Sequence, residues 1–326
     1  MSSNHVLTLA AHEYRAAFRS RILGLLLAIL IAVTVGSVYI ASVAHRSQVA
    51  DYATYRTAAL ASGLQRIAPS PLAPMSLLRG AFEYIQIVGS VIAITLGFLS
   101  VSRERASRTL PLLRSRPVTT GQLATGTLVG AVALLATLVA ATAVSGVVCI
   151  GVIGNDWVSP GELLQLSLAY LLSVVYLTVF YALGVFASSK AKAATNGLLI
   201  ALCIWLVIVL VIPQIGDTLD SDNQVPGGLF KALGLNRADE TTVLSHFSLF
   251  ETLRTRIEYL SVAQHYQRFV FAMADVKERY RPFGLGGLLA RVWTDLSWVL
   301  FWPIPLIAAS RRVLRNEPSI TQGASP

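Results

Sequence analysis

The chain has 326 residues, of which 54% are hydrophobic and 13% charged, and its mean hydropathy is +0.63. Soluble domains carry roughly 25% charged residues, so this composition indicates a protein whose main solvent is lipid and which crosses the membrane several times. The net charge of +9 would suggest nucleic acid as a partner of a soluble protein. In a membrane protein an excess of Lys and Arg first reports topology, so no nucleic-acid partner is predicted.

The first predicted element is an amphipathic helix in residues 1–21, with the sequence HVLTLAAHEYRAAFRSR from residue 5. At helical spacing, His12, Arg15 and Arg19 fall on the polar face. The opposite, apolar face carries Leu7, Ala10, Ala11, Tyr14, Ala17 and Phe18. This pattern predicts a helix lying in the cytoplasmic membrane interface.

Six apolar stretches follow that can cross a bilayer. A hydrocarbon core of about 30 Å needs about 20 apolar residues in a helix. The predicted spans are Ile22–Ala44, Tyr84–Val101, Leu123–Ile153, Leu163–Ala187, Ala194–Ile212 and Val292–Ala309. The first is too long for the apolar core of a signal peptide, about 7–15 residues. We therefore predict an all-α membrane protein with spans 1–5 in residues 22–213 and span 6 with a cytoplasmic tail in 292–326.

The distribution of charge predicts the orientation. The N-terminus, the 102–122 loop, the 188–193 loop and the C-terminus together carry 13 Lys and Arg against three Glu, whereas the other side carries 13 basic and 14 acidic residues. Positive residues accumulate on the cytoplasmic side. Both termini and the 102–122 loop are therefore predicted to be cytoplasmic.

Two segments are predicted outside the membrane on the other side. Residues 45–83 contain an amphipathic stretch before the sequence PSPLAP. Residues 214–291 are predicted to form an extracytoplasmic helical domain between spans 5 and 6. In this domain, apolar residues recur at the spacing of one long helix or two in tandem, and such a helix needs an apolar partner. They are Leu253, Ile257, Leu260, Ala263, Tyr266, Val270, Met273 and Tyr280.

The 102–122 loop has the signals of an ordered element. Thr119 followed by Gln122 is a capping box that predicts the start of the third span, and Thr109 can cap a short helix with Pro111 in its first turn. Leu110 and Leu113 share one side of that short helix. Two interpretations are open: a helix that fits a groove in a cytoplasmic partner, or arginines that enforce topology and bind anionic headgroups.

The order of these features resembles the permease subunits of type 2 ABC transporters. The loop carries Glu104, Thr109-Leu110, Leu112-Leu113 and Pro117-Val118-Thr119, followed by Gly126. The resemblance covers nearly the whole chain and implies that the loop docks as a coupling helix on a separate ATPase, with the N-terminal helix as a second contact. The residues assigned to this contact by resemblance are Glu13, Arg15, Arg19, Glu104, Arg105, Arg108, Thr109, Leu110, Leu113, Arg114 and Pro117.

The same resemblance implies a bacterial inner-membrane permease that works with two cytoplasmic ATPase subunits and a second permease copy or homologue. ATP and Mg²⁺ are expected on the ATPase, and no cofactor is expected on this chain. Membrane lipids and an extracytoplasmic accessory protein are further expected partners. The chain departs from the family pattern at Ala106, Arg108 and Thr127, where members often have an acidic residue, Gly and Lys.

The chain lacks a GxxxxGK[ST] phosphate loop and the HExxH and GxSxG motifs, so it is predicted not to be an enzyme itself. His246 and His265, with Glu251 and Glu258 between them, could form an unusual metal site. A solvated amphipathic helix explains them more simply, and no metal is predicted. Polar or aromatic residues within the spans could line a substrate path or form hydrogen bonds between helices. They are Gln86, Thr95, Asn196 and Trp205.

Two functions remain open at this point. The chain could couple ATP hydrolysis to export of a lipid-like or small substrate. Alternatively, it could be a scaffold or mechanotransmitter that moves no substrate and works on an extracytoplasmic protein. An intramembrane enzyme is a third, weaker alternative. No acidic or basic residue lies near the middle of a span, which disfavours an ion-coupled carrier.

Overall fold

The computed structural model describes residues 2–19, 21–63, 73–106, 120–219, 248–276, 280 and 283–316. Within these ranges the chain is helical and contains no strand, which confirms the predicted all-α class. One 3-10 helix (Pro74–Leu78) and three π-helical turns (Ile85–Gly89, Ile150–Gly154 and Leu206–Val211) accompany the α-helices. The α-helices are α1 Ser2–Phe18, α2 Arg21–Ala61, α3 Arg79–Tyr84, α4 Ser90–Ala106, α5 Thr120–Cys149, α6 Pro160–Lys190, α7 Ala194–Trp205, α8 Ile212–Leu219, α9 Ser248–Glu258, α10 Val262–Met273, α11 Leu285–Phe301 and α12 Pro303–Asn316.

Six helical segments in the described residues are long and apolar enough to cross a membrane, which confirms the six predicted spans. They are span 1 Gly24–Ala61, span 2 Pro74–Arg103, span 3 Gly121–Gly154, span 4 Pro160–Lys190, span 5 Ala194–Gly216 and span 6 Leu285–Ser310. Span 1 is longer than predicted, because α2 continues beyond Ala44 to Ala61. At 1.5 Å per residue this extension adds about 25 Å of helix.

Span 4 is the centre of the bundle. Its most apolar window is 78% buried, whereas the corresponding windows of spans 1 and 5 are only 17% and 11% buried. Span 4 packs very closely on span 2, because Gly184 and Gly97 face each other's backbone and a Cβ at either position would collide with it. Small residues that allow such close approach are typical of helix packing in membranes. Spans 1 and 5 therefore lie at the periphery, where they present apolar side chains.

Within the described residues 248–276, the segment after span 5 forms two short helices rather than one long helix. Helix α9 ends at Glu258, and α10 begins after Ser261, whose side chain accepts a hydrogen bond from the backbone N–H of Gln264 (3.3 Å). Helix α10 packs against spans 4 and 6, and α9 packs against α8 at the end of span 5. The apolar partner that the sequence required is thus supplied by the spans themselves. That residues 214–291 form an extracytoplasmic domain stays a prediction.

Candidate functional site

One end of the bundle gathers the predicted coupling residues whose side chains the structure describes, Glu13, Arg15, Arg19 and Arg105. We call it the basic end: it consists of α1, the last turn of α4, the first turns of α5, and the turn between α6 and α7. The connection of residues 107–119 joins α4 to α5 at this end and lies outside the described residues. The side chain of Glu104 also lies outside the described part. The remaining predicted coupling residues all belong to this connection: Arg108, Thr109, Leu110, Leu113, Arg114 and Pro117.

Helix α1 lies against the start of span 3 at two glycines. A Cβ on Gly126 would lie 2.6 Å from the Cβ of Leu9, and a Cβ on Gly130 would lie 2.6 Å from the backbone oxygen of Ala10. These glycines are four residues apart on one face of α5, the spacing that lets two helices approach closely. The contacts advance in the same direction along both helices, so α1 runs alongside span 3.

The buried face of α1 overlaps only in part with the predicted apolar face. Ala10 is buried and Tyr14 is half-buried, as predicted. Leu7, Ala11 and Phe18 are exposed, whereas Glu13 faces its neighbours with a side chain only 15% exposed. Helical spacing identifies residues that share a face, but it does not distinguish a face that contacts protein from one that contacts lipid. The close packing at Gly126 and Gly130 shows that the face of α1 with Ala10 and Glu13 contacts protein. The predicted contact residues Arg15 and Arg19 are both exposed.

Glu13 connects α1 to the end of span 2. Its carboxylate forms an ion pair with the guanidinium of Arg103, which also donates from Nε to the backbone oxygen of Leu99 (3.1 Å). Arg103 was not among the predicted coupling residues. In the sequence, only the position of Arg103 in the last turn of span 2 indicated a role at this end. Its partner Glu13 could not be inferred, because it lies 90 residues earlier in the chain.

Arg105 connects the same end of span 2 to the turn between spans 4 and 5. Its two terminal nitrogens donate to the backbone oxygens of Ser189 (2.9 Å) and Ala191 (3.0 Å). These carbonyls belong to the C-terminal end of α6, where intrahelical donors are missing and a cation is favourable. The turn is tightly packed, because Gly197 of α7 lies against the backbone of Ser188. Arg105 therefore binds within the chain.

Two of the four residues considered for a substrate path come together deeper in the bundle. The indole Nε1 of Trp205 donates to Oγ of Ser90 (2.6 Å), and Ser90 donates to the backbone oxygen of Gln86 (2.5 Å). Tyr176 donates to the same Gln86 oxygen (3.2 Å). These hydrogen bonds connect spans 2, 4 and 5. Gln86 and Trp205 thus take part in bonding between helices.

The other two residues lie elsewhere. Thr95 donates to the backbone oxygen of Val91 in its own helix (2.8 Å), and Asn196 is exposed in the first turn of α7. A substrate path along the four residues stays a prediction.

The π-helical turns provide carbonyl oxygens for these contacts. A π turn departs from the regular i to i−4 ladder and often occurs at functional positions. The oxygen of Gln86 lies in the π turn of span 2. The oxygen of Ile208 lies in the π turn of span 5 and accepts from Oγ of Ser261 (2.7 Å), next to α10. Both π turns thus bond to side chains of other elements.

Helix α10 also bonds to span 4. The phenol of Tyr266 lies 2.8 Å from Oγ of Ser173, and its ring stacks on that of Tyr176 with centroids 4.2 Å apart. Burial raises the pKa of the Tyr266 phenol, and the hydrogen bond with Ser173 offsets part of this effect. The phenol therefore stays protonated at neutral pH and supplies a hydrogen-bond donor.

The residues considered for a metal site have other partners. Both carboxylate oxygens of Glu258 are bound by arginines, Arg254 and Arg268, and His265 contacts Asp295. In the described part of the chain, no group of three or more His, Cys, Asp or Glu side chains could hold a metal ion. His246 and the side chain of Glu251 lie outside the described residues.

The fold and this end of the bundle define a class: a multi-pass, all-helical membrane protein in which a terminal helix and the connection between spans 2 and 3 share one basic end. A family profile described as "ABC-2 family transporter protein" matches residues 7–317, nearly the whole chain, and the protein belongs to this family. It is a membrane component of an ABC transporter, and the family implies partnership with an ATPase subunit. No curated protein matches the chain.

Proposed function

We propose that this permease couples ATP hydrolysis by a separate ATPase subunit to movement of its spans. The ATPase docks on residues 107–119 at the basic end. One observation carries the proposal: the two arginines that precede this connection, Arg103 and Arg105, bind different parts of the bundle. A displacement of the connection therefore reaches more of the bundle than the two helices that it joins.

A displacement of the 107–119 connection reaches the rest of the bundle by three routes. Covalent linkage transmits it to the end of span 2 and to the start of span 3. The Glu13–Arg103 ion pair and the glycine contacts carry α1 along with both spans. Arg105 transmits it to the tightly packed turn between spans 4 and 5. Packed helices move as rigid bodies rather than deforming continuously, so these elements would shift together.

The orientation predicted from the charge distribution also determines how the transporter complex is assembled in this proposal. The basic end and both termini lie in the cytoplasm, and the protein lies in the bacterial inner membrane, as the excess of Lys and Arg at this end favours. Two ATPase subunits, which bind ATP and Mg²⁺, work with this chain and a second permease copy or homologue. The low burial of spans 1 and 5 leaves apolar surface for a second copy. This chain itself binds no cofactor in the proposal.

At the other end, the movement drives export of a lipid-like or small substrate or acts on an extracytoplasmic accessory protein. One observation favours the second outcome. The 17 residues of α2 after Ala44 extend the helix beyond the predicted apolar stretch. Three apolar side chains of this extension, Val49, Tyr55 and Leu60, are exposed. The 38 residues of span 1 are about 57 Å long, whereas the hydrocarbon core is about 30 Å thick. The extension therefore reaches beyond the lipid and offers Val49 and Leu60, which share one side of the helix, to an extracytoplasmic protein.

Co-purification from native membranes in mild detergent tests the docking step. Wild type is expected to carry an ATPase with a phosphate-loop motif, identified by mass spectrometry, and the Leu110→Asp, Leu113→Asp double variant is expected to lose it. The Val49→Asp, Leu60→Asp double variant is the matched control, because it adds the same charges to exposed positions on α2. Loss of the ATPase from all variants, or from none, would contradict docking at the connection.

A second variant separates transmission from docking. Arg105→Ala is expected to keep the ATPase but to lose the response of the spans to ATP, because it removes both hydrogen bonds to the turn between spans 4 and 5. The response is measured as the ATP-dependent change in hydrogen exchange of spans 4 and 5 in the purified complex. An unchanged response in Arg105→Ala would overturn this route.

A further inference from the structure

Span 1 buries one of its sides, and that side is partly polar. It lies against the beginning of span 2 and the end of span 3. A Cβ on Gly80 would lie 2.0 Å from Oγ of Ser37, and a Cβ on Gly154 would lie 4.0 Å from the Cβ of Ser42. We call this contact the span 1 seam. The residues that span 1 buries in it recur every three or four positions: Leu30, Thr34, Val38, Ser42 and His45.

The three polar residues of the span 1 seam lack hydrogen-bond partners. Thr34 and Ser42 are 0% exposed and His45 is 4% exposed. Their atoms Thr34 Oγ1, Ser42 Oγ and His45 Nδ1 nevertheless form no hydrogen bond. A buried hydroxyl in a helix usually donates to a carbonyl one turn earlier, as Thr142 does to Val139 (2.8 Å). Because buried polar atoms rarely lack a partner, the seam has an unused capacity to bind a polar group.

The unpartnered atoms are spread along the half of span 1 that leads away from the basic end. Thr34 lies in the middle of the apolar stretch 22–44, and Ser42 and His45 lie at its end. At 1.5 Å per residue, Ser42 is about 12 Å and His45 about 16 Å beyond Thr34. The polar groups thus extend from the middle of the membrane to the depth of the lipid headgroups.

The seam offers hydrogen bonds but no fixed charge. Span 3 contains no charged residue between Gly121 and Gly154, and in span 2 the side chains of Arg79 and Glu83 bind each other (2.9 Å). A phosphate or carboxylate that entered the seam would lose its hydration without gaining a cation, which is very costly. A hydroxyl group both donates and accepts, so it matches hydroxyl and imidazole partners. The seam therefore suits an uncharged ligand that carries hydroxyl groups.

Membrane lipids are the source of such a ligand, because span 1 lies at the periphery of the bundle. Its most apolar window is only 17% buried. Apolar side chains at the same depth as the seam residues are exposed on the other sides of the helix, among them Tyr39, Ile40 and Val43. A lipid can keep its acyl chains against these side chains while its headgroup enters the seam.

We propose that the span 1 seam binds the uncharged, hydroxyl-bearing headgroup of a membrane lipid, such as a glycolipid. Hydroxyl groups of the headgroup bind Ser42 Oγ and His45 Nδ1, and Thr34 Oγ1 binds a headgroup that has moved further into the membrane. The three atoms are covered in this structure, so the headgroup enters when span 1 moves away from spans 2 and 3. This inference depends on neither an ATPase nor the 107–119 connection.

Retention of a glycolipid measures binding. The full chain is reconstituted in phosphatidylcholine nanodiscs with increasing fractions of monogalactosyl diacylglycerol, and the lipids that remain bound after extraction are counted by mass spectrometry. Wild type is expected to retain the glycolipid in preference to phosphatidylcholine. The Ser42→Ala, His45→Phe double variant keeps similar shapes but loses both hydrogen bonds, so it is expected to bind about 25-fold more weakly, about fivefold for each bond.

The Thr142→Val, Ser145→Ala double variant is the matched control. It removes two hydroxyls that donate to carbonyls of their own helix, so glycolipid retention is expected to stay at the wild-type level. Equal retention by wild type and Ser42→Ala, His45→Phe would overturn the proposal, as would an equal loss in the control.

Cysteine accessibility tests the opening of the seam with a milder substitution. In a Cys149→Ala, Cys203→Ala background, Ser42→Cys is expected to react with a charged, membrane-impermeant methanethiosulfonate in phosphatidylcholine nanodiscs. The glycolipid is expected to abolish most of this reactivity, whereas phosphatidylglycerol leaves it unchanged. Val43→Cys is the control at the same depth, because Val43 is exposed outside the seam, and its reactivity should not respond to the glycolipid.

Three results of the accessibility experiment would overturn the lipid site. An unreactive Ser42→Cys in every lipid would mean that the seam does not open. Reactivity that the glycolipid does not change would mean that only water enters. Equal protection by phosphatidylglycerol would contradict the selection of an uncharged headgroup.

Discussion

The packing of α1 on span 3 predicts that a larger side chain at Gly130 will detach α1. A Cβ at this position would lie 2.6 Å from the backbone oxygen of Ala10 and 2.9 Å from the Cβ of Glu13. Non-bonded carbon atoms prefer separations of about 3.5–4.0 Å, so even alanine requires α1 to move by about 1 Å. Leucine adds three more carbon atoms to the same gap. The Gly130→Leu variant therefore cannot keep the observed contact.

The magnitude follows from the overpacking alone. The better helix propensity of leucine stabilises α5 whether or not α1 is docked, so it does not offset the loss. Overpacking a close contact costs about 1–3 kcal/mol, which corresponds to a rise of about 5–150-fold in the ratio of undocked to docked α1, since 1.4 kcal/mol is tenfold. Detachment would also separate Glu13 from Arg103.

Hydrogen exchange of the α1 amides in the purified protein measures this opening. Gly36→Leu in span 1 is the matched control, because no atom lies within 4 Å of the position of its Cβ. Faster exchange in α1 is expected for Gly130→Leu and not for Gly36→Leu, with Gly130→Ala in between. Equal protection of α1 in Gly130→Leu and Gly36→Leu would refute the argument that this glycine holds α1 on span 3.

Three further predictions concern individual hydrogen bonds. Arg105→Ala is expected to destabilise the protein by about 1–3 kcal/mol in detergent unfolding, because two carbonyls lose a charged donor; Arg105→Lys should recover less than half, since lysine lacks the fork of donors. Tyr266→Phe removes only the hydrogen bond to Ser173 and is expected to lower the free energy of unfolding by about 1 kcal/mol in the same assay. Tyr266→Ala also removes the buried ring and is expected to lower it by about 3–5 kcal/mol. Equal losses in the two variants would contradict the importance of the ring. Ser261→Ala is expected to increase amide exchange at the start of α10 by about tenfold, because it removes both the cap and the bond to Ile208; unchanged exchange would exclude these bonds as the cause of docking.

The class and the number of spans could be predicted from the sequence because both depend on composition averaged over long segments. A stretch such as Leu163–Ala187 has too few polar groups for water and enough length for the bilayer. The helical spacing around Leu253 and Val270 also predicted helices between spans 5 and 6. It left one long helix or two open, since the break at Ser261 is a local capping event in otherwise continuous periodicity.

The partners of individual side chains could not be predicted. Glu13 and Arg103 are 90 residues apart, and Arg105 and Ala191 are 86 residues apart. Local spacing carries no information about such contacts, because they form only when separate spans pack at the same end of the bundle. The sequence alone therefore determined a six-span, all-α protein with a basic end. The tertiary structure decided which charged residues join its helices and which face of α1 meets span 3, because helix packing, rather than local propensity, sets those distances.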